Sequence, residues 1–226
     1  LVESKLNAIV YIEIKGGGAE SSIKLKRVKK AILQAKRLES STFRVGLSIH
    51  SIYSTHPLIW EQMLNFAFAE QLPVCIHAAE SPAEHAFALC GSGTLKTEYL
   101  SRYEDLHIPT PYLSPIRYLE KLGALEFKPL LIHCVEVDEN DIKLISRSGC
   151  SVVHCPRSNA LLNCNLMPLH SFFAAQVPVF LGTDSLASSP NLNVLEEAAV
   201  AISSHKNKVN GEAIMSLTSK SIFSVV

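Results

Sequence analysis

With 226 residues the chain can bury one substantial core, and its 21 basic residues are balanced by 21 acidic ones. That neutral balance offers nothing to a nucleic-acid polymer or an anionic membrane. No apolar run reaches bilayer length, and the opening LVESKLNAIVYIEI lacks a signal-peptide pattern. Six cysteines occur without a CxxC pair, three of them in or beside apolar runs, as expected for small buried hydrophobes in a reducing, cytoplasmic setting. The opening also has no initiating methionine, so a fragment, a cleaved product and the ordered part of something longer all fit.

In chain order, the opening reads as a helix end running into a strand at residues 8–14, followed by the loop GGGAESS. Residues 24–39 carry Val28, Ala31, Ile32 and Ala35 at helical spacing, and the basic run over residues 24–37 supplies the solvated face. A second strand spans residues 44–49. Pro57 opens a helix through Gln71 with Leu58, Met63, Phe66 and Ala67 on its apolar stripe. Residues 72–78 (LPVCIHA) form a third strand. Residues 81–125 are less regular, and residues 90–115, with five Pro or Gly stops, read as an excursion over one rim of the sheet. Strands follow at residues 130–134, 151–154 and 177–182. Helices are expected at residues 139–148, between an Asp138 cap and Gly149, and at residues 169–175.

Alternating βα units predict an α/β protein with a parallel sheet, either doubly wound or part of a (β/α)8 barrel. GGGAES lacks the GxGxxG spacing of a dinucleotide loop. The barrel is favoured because His50, His77, His133, His154 and Asp184 all fall at, or just past, the C-terminal ends of separate strands, where barrel enzymes build their sites. The expected fold is therefore a TIM-type barrel, incomplete over residues 1–226.

His77 ends the run VCIH, and Glu80 follows it by three residues. Histidine and aspartate suit a borderline divalent cation, and a neighbouring glutamate can move protons. For a single strand-end histidine, a satisfied structural residue is the rival reading; for Asp184 it is a helix cap. His133 ends LLIH, where a neutral imidazole can hydrogen-bond an attacked group. In VVHCPRSNALL, Pro156 breaks the strand and leaves Arg157, Ser158 and Asn159 near the mouth, with Arg157 as a planar fork for a carboxylate or an oxygen-rich substrate; alternatively His154 and Asn159 knit loops together. Ser185 and Ser188 offer hydroxyls beside Asp184. Glu13 and His50 line the same mouth, with Tyr53 as an apolar wall and Trp60 packing its helix.

The stretches GLSIHSIYS, IHAAESPAE, LIHCVEVD, VVHCPRSNALL and FLGTDSLASSPNLNVLEE, taken together, resemble the amidohydrolase superfamily, in its branch of cytosine-, guanine- and S-adenosylhomocysteine-type deaminases and chlorohydrolases. They run in the family's order over residues 44–197. The resemblance implies that the six strands are strands three to eight of the barrel. It implies His77 and Asp184 as metal ligands, Glu80 as proton shuttle, and His133 and Asp184 as further catalytic groups. It also implies His50 as a substrate contact, joined here by Arg157 and Ser188 from the local reading. The implied cofactor is one zinc ion per site in the complete protein, with iron(II) as the alternative. The implied partner is a small heterocyclic substrate, and a homo-oligomer is allowed.

One departure is large. The family's His-x-His pair at the end of strand one occurs nowhere in these residues, and the segments of its small β-sandwich are also missing. Hydrolytic deamination is the first expectation for the whole protein. An inactive or truncated relative is the second, and a chlorohydrolase or cyclic amidohydrolase the third. The chain taken alone is expected to bind zinc weakly and release little ammonia, and its two sheet edges are expected to be sticky.

Overall fold

The computed structural model describes residues 7–18, 21–102 and 106–206; the helix end expected ahead of the first strand lies outside them. Six strands alternate with helices: β1 (Ala8–Ile14), α1 (Ser21–Lys36), β2 (Phe43–Ile49), α2 (Pro57–Glu70), β3 (Val74–Ala78), α3 (Pro82–Cys90), α4 (Pro115–Lys121), β4 (Leu130–His133), α5 (Glu139–Ser148), β5 (Ser151–His154), α6 (Pro156–Leu161), α7 (Leu169–Ala174), β6 (Val179–Leu181) and α8 (Val194–His205). Every strand pair is parallel, and the spatial order is β1-β2-β3-β4-β5-β6. A doubly wound sheet must reverse its order at a switch point. This sheet never does, which makes it the α/β arrangement of consecutive strands in a (β/α)8 barrel. Among the described residues β1 and β6 each pair on one side only.

Local chemistry explains most boundaries. In α2, Pro57 occupies the first turn, the His56 side chain accepts from the Leu58 N–H, and Gln71 ends the helix in the left-handed region at φ 53°. In α5, Asp138 and Asp141 form a reciprocal capping box and Gly149 terminates the helix at φ 70°. The expected helix over residues 24–39 starts one turn earlier, at Ser21. Among the described residues of the less regular stretch 81–125, two segments form α-helices, and Leu95–Tyr99 and Leu100–Arg102 add a π-helical and a 3-10 turn. Both α-helices open on a Ser-Pro step, with Ser81 and Ser114 as caps, and both are too short to show a clear period.

One core cluster joins the sheet to its helices. Ile32, Val45, Leu47, Trp60, Met63, Ile76, Leu119, Leu131, Ile145, Val152, Phe172 and Leu181 are all shut off from solvent. A smaller cluster of Phe87, Leu95, Leu100 and Ile108 packs the excursion onto the rim, with Tyr53 and Tyr99 against it. No helix among the described residues is long and apolar enough to cross a membrane. Gly46 of β2 is required by close approach, because a Cβ there would lie 2.5 Å from the Tyr11 ring and 2.9 Å from the Pro73 carbonyl. Gly46→Ala is therefore expected to destabilise the fold by about 1–3 kcal/mol, as overpacking does, read as a lowered urea midpoint at unchanged slope.

Candidate active site

Parallel strands in sequential order deliver polar groups from five of the six strands to a single rim. Glu13 comes from β1, His50 directly follows β2, His77 lies in β3, His133 ends β4 and Asp184 follows β6. The rings of His50, His77 and His133 stand in a row, with centroids 4.9 Å and 5.7 Å apart and a 32° tilt at each step. The backbone turns sharply where the row is presented. His133, Cys134, Ala79 and Asp184 adopt φ of 75°, 49°, 51° and 58°, left-handed conformations that cost on the order of 1–3 kcal/mol each in such residues. The Cys134 and Val135 N–H groups donate to the Ala78 and Ala79 carbonyls, at 3.0 Å and 2.8 Å, and hold two of these turns together.

Glu80, His133 and Asp184 converge, with one ligand atom from each lying within 4.8 Å of the others. His133 Nε2 is 3.4 Å from Glu80 Oε1. Asp184 Oδ2 accepts from the Ser158 and Ser188 hydroxyls at 2.6 Å each, and Oδ1 accepts from the Ser185 N–H at 2.7 Å. Beneath Glu80, the fully buried Glu84 carboxyl accepts from the Glu80 N–H at 2.8 Å. Asn159 Nδ2 lies 3.2 Å from His133 Nδ1 and fixes that ring's plane.

Burial sets the charge states. It pushes His50 down to about 3, helped by His77 beside it, and His133 down to about 4; it also lowers His77, helped by His133. All three imidazoles are therefore neutral at pH 7, the state in which they ligate metals. Burial raises Glu80, partly offset by His77, and pushes Glu84 up to about 8. For Asp184 burial works against the carboxylate, but the Ser158 and Ser188 hydrogen bonds prevail and hold its pKa below the ordinary value. Neutral imidazoles and an ionised carboxylate on one rim fit a borderline divalent cation.

Several expected residues lie elsewhere. Arg157, expected at the mouth, turns away to α8: its Nε donates to Glu197 Oε1 at 2.7 Å, and its terminal nitrogens reach Glu196 and Asn191. The guanidinium is thus fully engaged in joining α6 to α8. Ser188, expected to contact substrate, is buried and directs its proton to Asp184. His154, at an equivalent strand end, packs edge-on against His205 of α8, 5.6 Å away, so it does not join the row. Asp184 groups with Glu80 and His133, whereas His77 groups with Glu13 and His50. Two supports go beyond the sequence pattern: Ser158 donates to Asp184, and Glu84 accepts from the Glu80 N–H. For Glu84 the Ser81-x-x-Glu84 capping pattern is the available signal, while the break at Pro156 places Ser158 near the mouth without indicating Asp184 as its partner.

The profile of the amidohydrolase family matches residues 9–224. An aminodeoxyfutalosine deaminase of Deinococcus radiodurans is 35% identical over 209 residues, covering 89% of this chain and 50% of that protein. The chain thus spans about half the length of that curated relative. The crystal structure of Helicobacter pylori aminofutalosine deaminase in complex with methylthio-coformycin superposes with a TM-score of 0.82 at 23% identity, over 96% of this chain and 52% of that one. An adenosine deaminase from Xanthomonas campestris with bound zinc superposes with a TM-score of 0.68 at 21% identity, over 91% and 44%. At these identities the two superpositions establish the barrel fold.

Two outcomes follow from the geometry. The Arg157 side chain is 10% exposed and that of Glu197 0%, so Arg157→Ala should cost about 3–5 kcal/mol in urea denaturation, and Lys should fail to restore it for want of a planar fork. Stability should also fall on acidification. The unfolded chain binds protons at its histidines near their ordinary 6.5, while folded His50, His133 and His154 resist to about 3, 4 and 3, so the unfolded state gains protons first. Glu84, raised to about 8, acts oppositely between its ordinary 4.5 and 8. Loss should therefore steepen below pH 4.5, where that opposition ends, as read by denaturation midpoints across pH.

Proposed function

Because this chain belongs to the amidohydrolase family, we propose that it supplies the proton-transfer and substrate-facing part of a hydrolytic deaminase acting on a purine- or pyrimidine-type base or nucleoside. The observation that carries the reading is the convergence of Glu80, His133 and Asp184 within 4.8 Å on the strand-end rim. The similarity to aminodeoxyfutalosine deaminase over most of the chain supports the substrate class.

His77 and Asp184 would hold a zinc ion, or iron(II), together with the histidine pair that the family resemblance calls for. Such a cation supplies Lewis acidity and lowers the pKa of a nearby water. Glu80 takes a proton from that water, and the burial that raises its pKa favours its keeping the proton until it is returned. The water oxygen bonds to the ring carbon, the carbon–nitrogen bond breaks, and Glu80 returns the proton so that the amine leaves as ammonia. His133, neutral and 3.4 Å from Glu80 Oε1, hydrogen-bonds the group under attack. Asp184 is kept ionised and oriented by Ser158 and Ser188. His50 and Tyr53, edge to face at 6.0 Å, bound the side where the distal part of a nucleoside would lie. The reading takes residues 1–226 as one barrel domain working in the cytoplasm, in agreement with its six free cysteines. Self-association through the singly paired outer strands is compatible with it.

One observation favours a second, non-catalytic reading: His77 groups with Glu13 and His50, while Asp184 groups with Glu80 and His133. An ammonia-release screen over adenine, guanine and cytosine nucleosides separates the two, and chloride release from a chlorotriazine without ammonia would move the reaction class. In a form that turns over, Glu80→Gln should lower kcat by roughly 10²–10⁴-fold with metal content nearly intact. A near-normal kcat in that variant would remove Glu80 from its role.

A further inference from the structure

Between α1, α2 and Leu106 of the excursion lies a cavity of about 610 Å³, within the range of pockets that hold small molecules. It shares no lining residue with the Glu80–His133–Asp184 cluster, and neither His50 nor His77 reaches it. Its apolar part includes the buried side chains of Leu25 and Ile59. Lys26, Lys29 and His56 supply its nitrogen groups, and none of the described residues lining it bears a carboxylate. Among the described residues, neither lysine has a carboxylate partner. The Lys29 ammonium instead stands over the Phe66 ring, 5.4 Å from its centroid. The Leu58 N–H donates to His56 Nδ1 at 3.2 Å, so the neutral ring carries its proton on Nε2. The nitrogen that the helix cap leaves unused is therefore a donor. The walls are also joined before any ligand arrives. The Gly16 N–H donates to the Ser54 carbonyl at 2.7 Å and the His56 N–H to the Gly16 carbonyl at 2.9 Å, tying the loops after β1 and β2 together. Gly17 fits beneath the excursion, where a Cβ would lie 2.7 Å from the Leu106 carbonyl and 3.1 Å from His56 Cβ. Donors held in this way meet a ligand with little ordering cost.

We infer that this cavity is a binding site for a small organic phosphate. The apolar body of the ligand packs on Leu25 and Ile59, and its phosphoryl group lies among Lys26, Lys29 and the His56 Nε2–H. Charge and donor number select that class. A phosphate monoester brings a charge of about −1.5 to −2 and three strong acceptor oxygens, enough to meet two ammonium groups and an imidazole N–H. A carboxylate, with one charge and two oxygens, leaves part of that donor set unmatched. Planar carboxylates also favour the fork of an arginine, and no arginine is among the described residues lining the cavity. Lysine binds phosphate as a point charge and needs no fork. Ser21 and Ser22, in the first turn of the 16-residue α1, line the same space, so the helix dipole adds to the positive field. Inorganic phosphate satisfies the charges but leaves the apolar part wet, which is why an organic body is favoured. The site is independent of the deaminase reading, since no group assigned to proton transfer or metal binding takes part in it.

Calorimetric titration of the 226-residue chain with phenyl phosphate, at about 0.15 M salt, tests the site, and circular dichroism checks the fold of each variant. Saturable binding of about one equivalent is expected, tighter than that of benzoate or inorganic phosphate. Lys26→Ala and Lys29→Ala should each weaken it about 10-fold, the worth of one charge-assisted hydrogen bond. Lys30 is an exposed residue of the same helix outside the cavity, and Lys30→Ala should change binding less than about 2-fold because salt screens it. Glu80→Gln should leave binding unchanged. A folded chain that takes up no phenyl phosphate would overturn the inference. So would equal weakening by Lys30→Ala and Lys26→Ala, the mark of diffuse attraction to a basic helix. Benzoate binding as tightly as phenyl phosphate would overturn the phosphate assignment. Binding lost in Glu80→Gln would move the ligand to the strand-end rim. Each of these results stands whatever the ammonia screen shows.

Discussion

Parallel pairing in unbroken sequential order is the constraint on which the rest of this molecule depends. Because each strand lies beside its successor and runs the same way, every strand end opens onto the same rim. Chain positions as far apart as Glu13 and Asp184 are thereby brought to one face. The register also acts at atomic scale. The hydrogen bonds from His50 to Ile14 and from His77 to His50 are sheet pairing continued past the last ladder residue, and the same His50 carbonyl orients the His77 ring. Sheet geometry and imidazole tautomer are thus set by one carbonyl.

The rim is built at a cost in stability that the core offsets. Buried imidazoles kept neutral, carboxyls raised by burial and left-handed backbone at His133, Ala79 and Asp184 all oppose folding or make it pH-dependent. Against them stand the large apolar side chains fully buried between sheet and helices, Trp60, Phe172 and Ile76 among them. Polar supports then limit the looseness of the costly groups. Glu84 pins the backbone of Glu80, Asn159 meets His133, and two serines converge on one oxygen of Asp184. A rim held in this way is preorganised, since its donors need little rearrangement to meet a cation or an attacked oxygen.

Arg157 shows how a residue with the chemistry of a substrate clamp can serve the scaffold. Its guanidinium meets Glu197 and Asn191 and so joins the corner after β5 to the start of α8. The same α6–α8 corner carries Ser158, which orients Asp184. The clamp therefore bears on the rim indirectly, through the position of a hydroxyl.

The strand and helix order was legible because it rests on local signals: apolar runs of strand length, Pro57 at a helix start, and the Asp138 and Gly149 caps. The strand-end positions of His50, His77, His133 and Asp184 followed from the same signals. The two Ser-Pro helices were not legible, because at seven and nine residues they are too short to show a period. The sequence by itself determined which groups could reach the rim. Tertiary structure alone decided that His154 faces α8, that Arg157 turns to Glu197, that Ser188 serves Asp184, and that His77 keeps company with Glu13 and His50. The physical reason is that a side chain's direction and tautomer are set by its hydrogen-bond partners. Here those partners lie 27 residues away for His77, 26 for His133 and 40 for Arg157, beyond the reach of any local pattern.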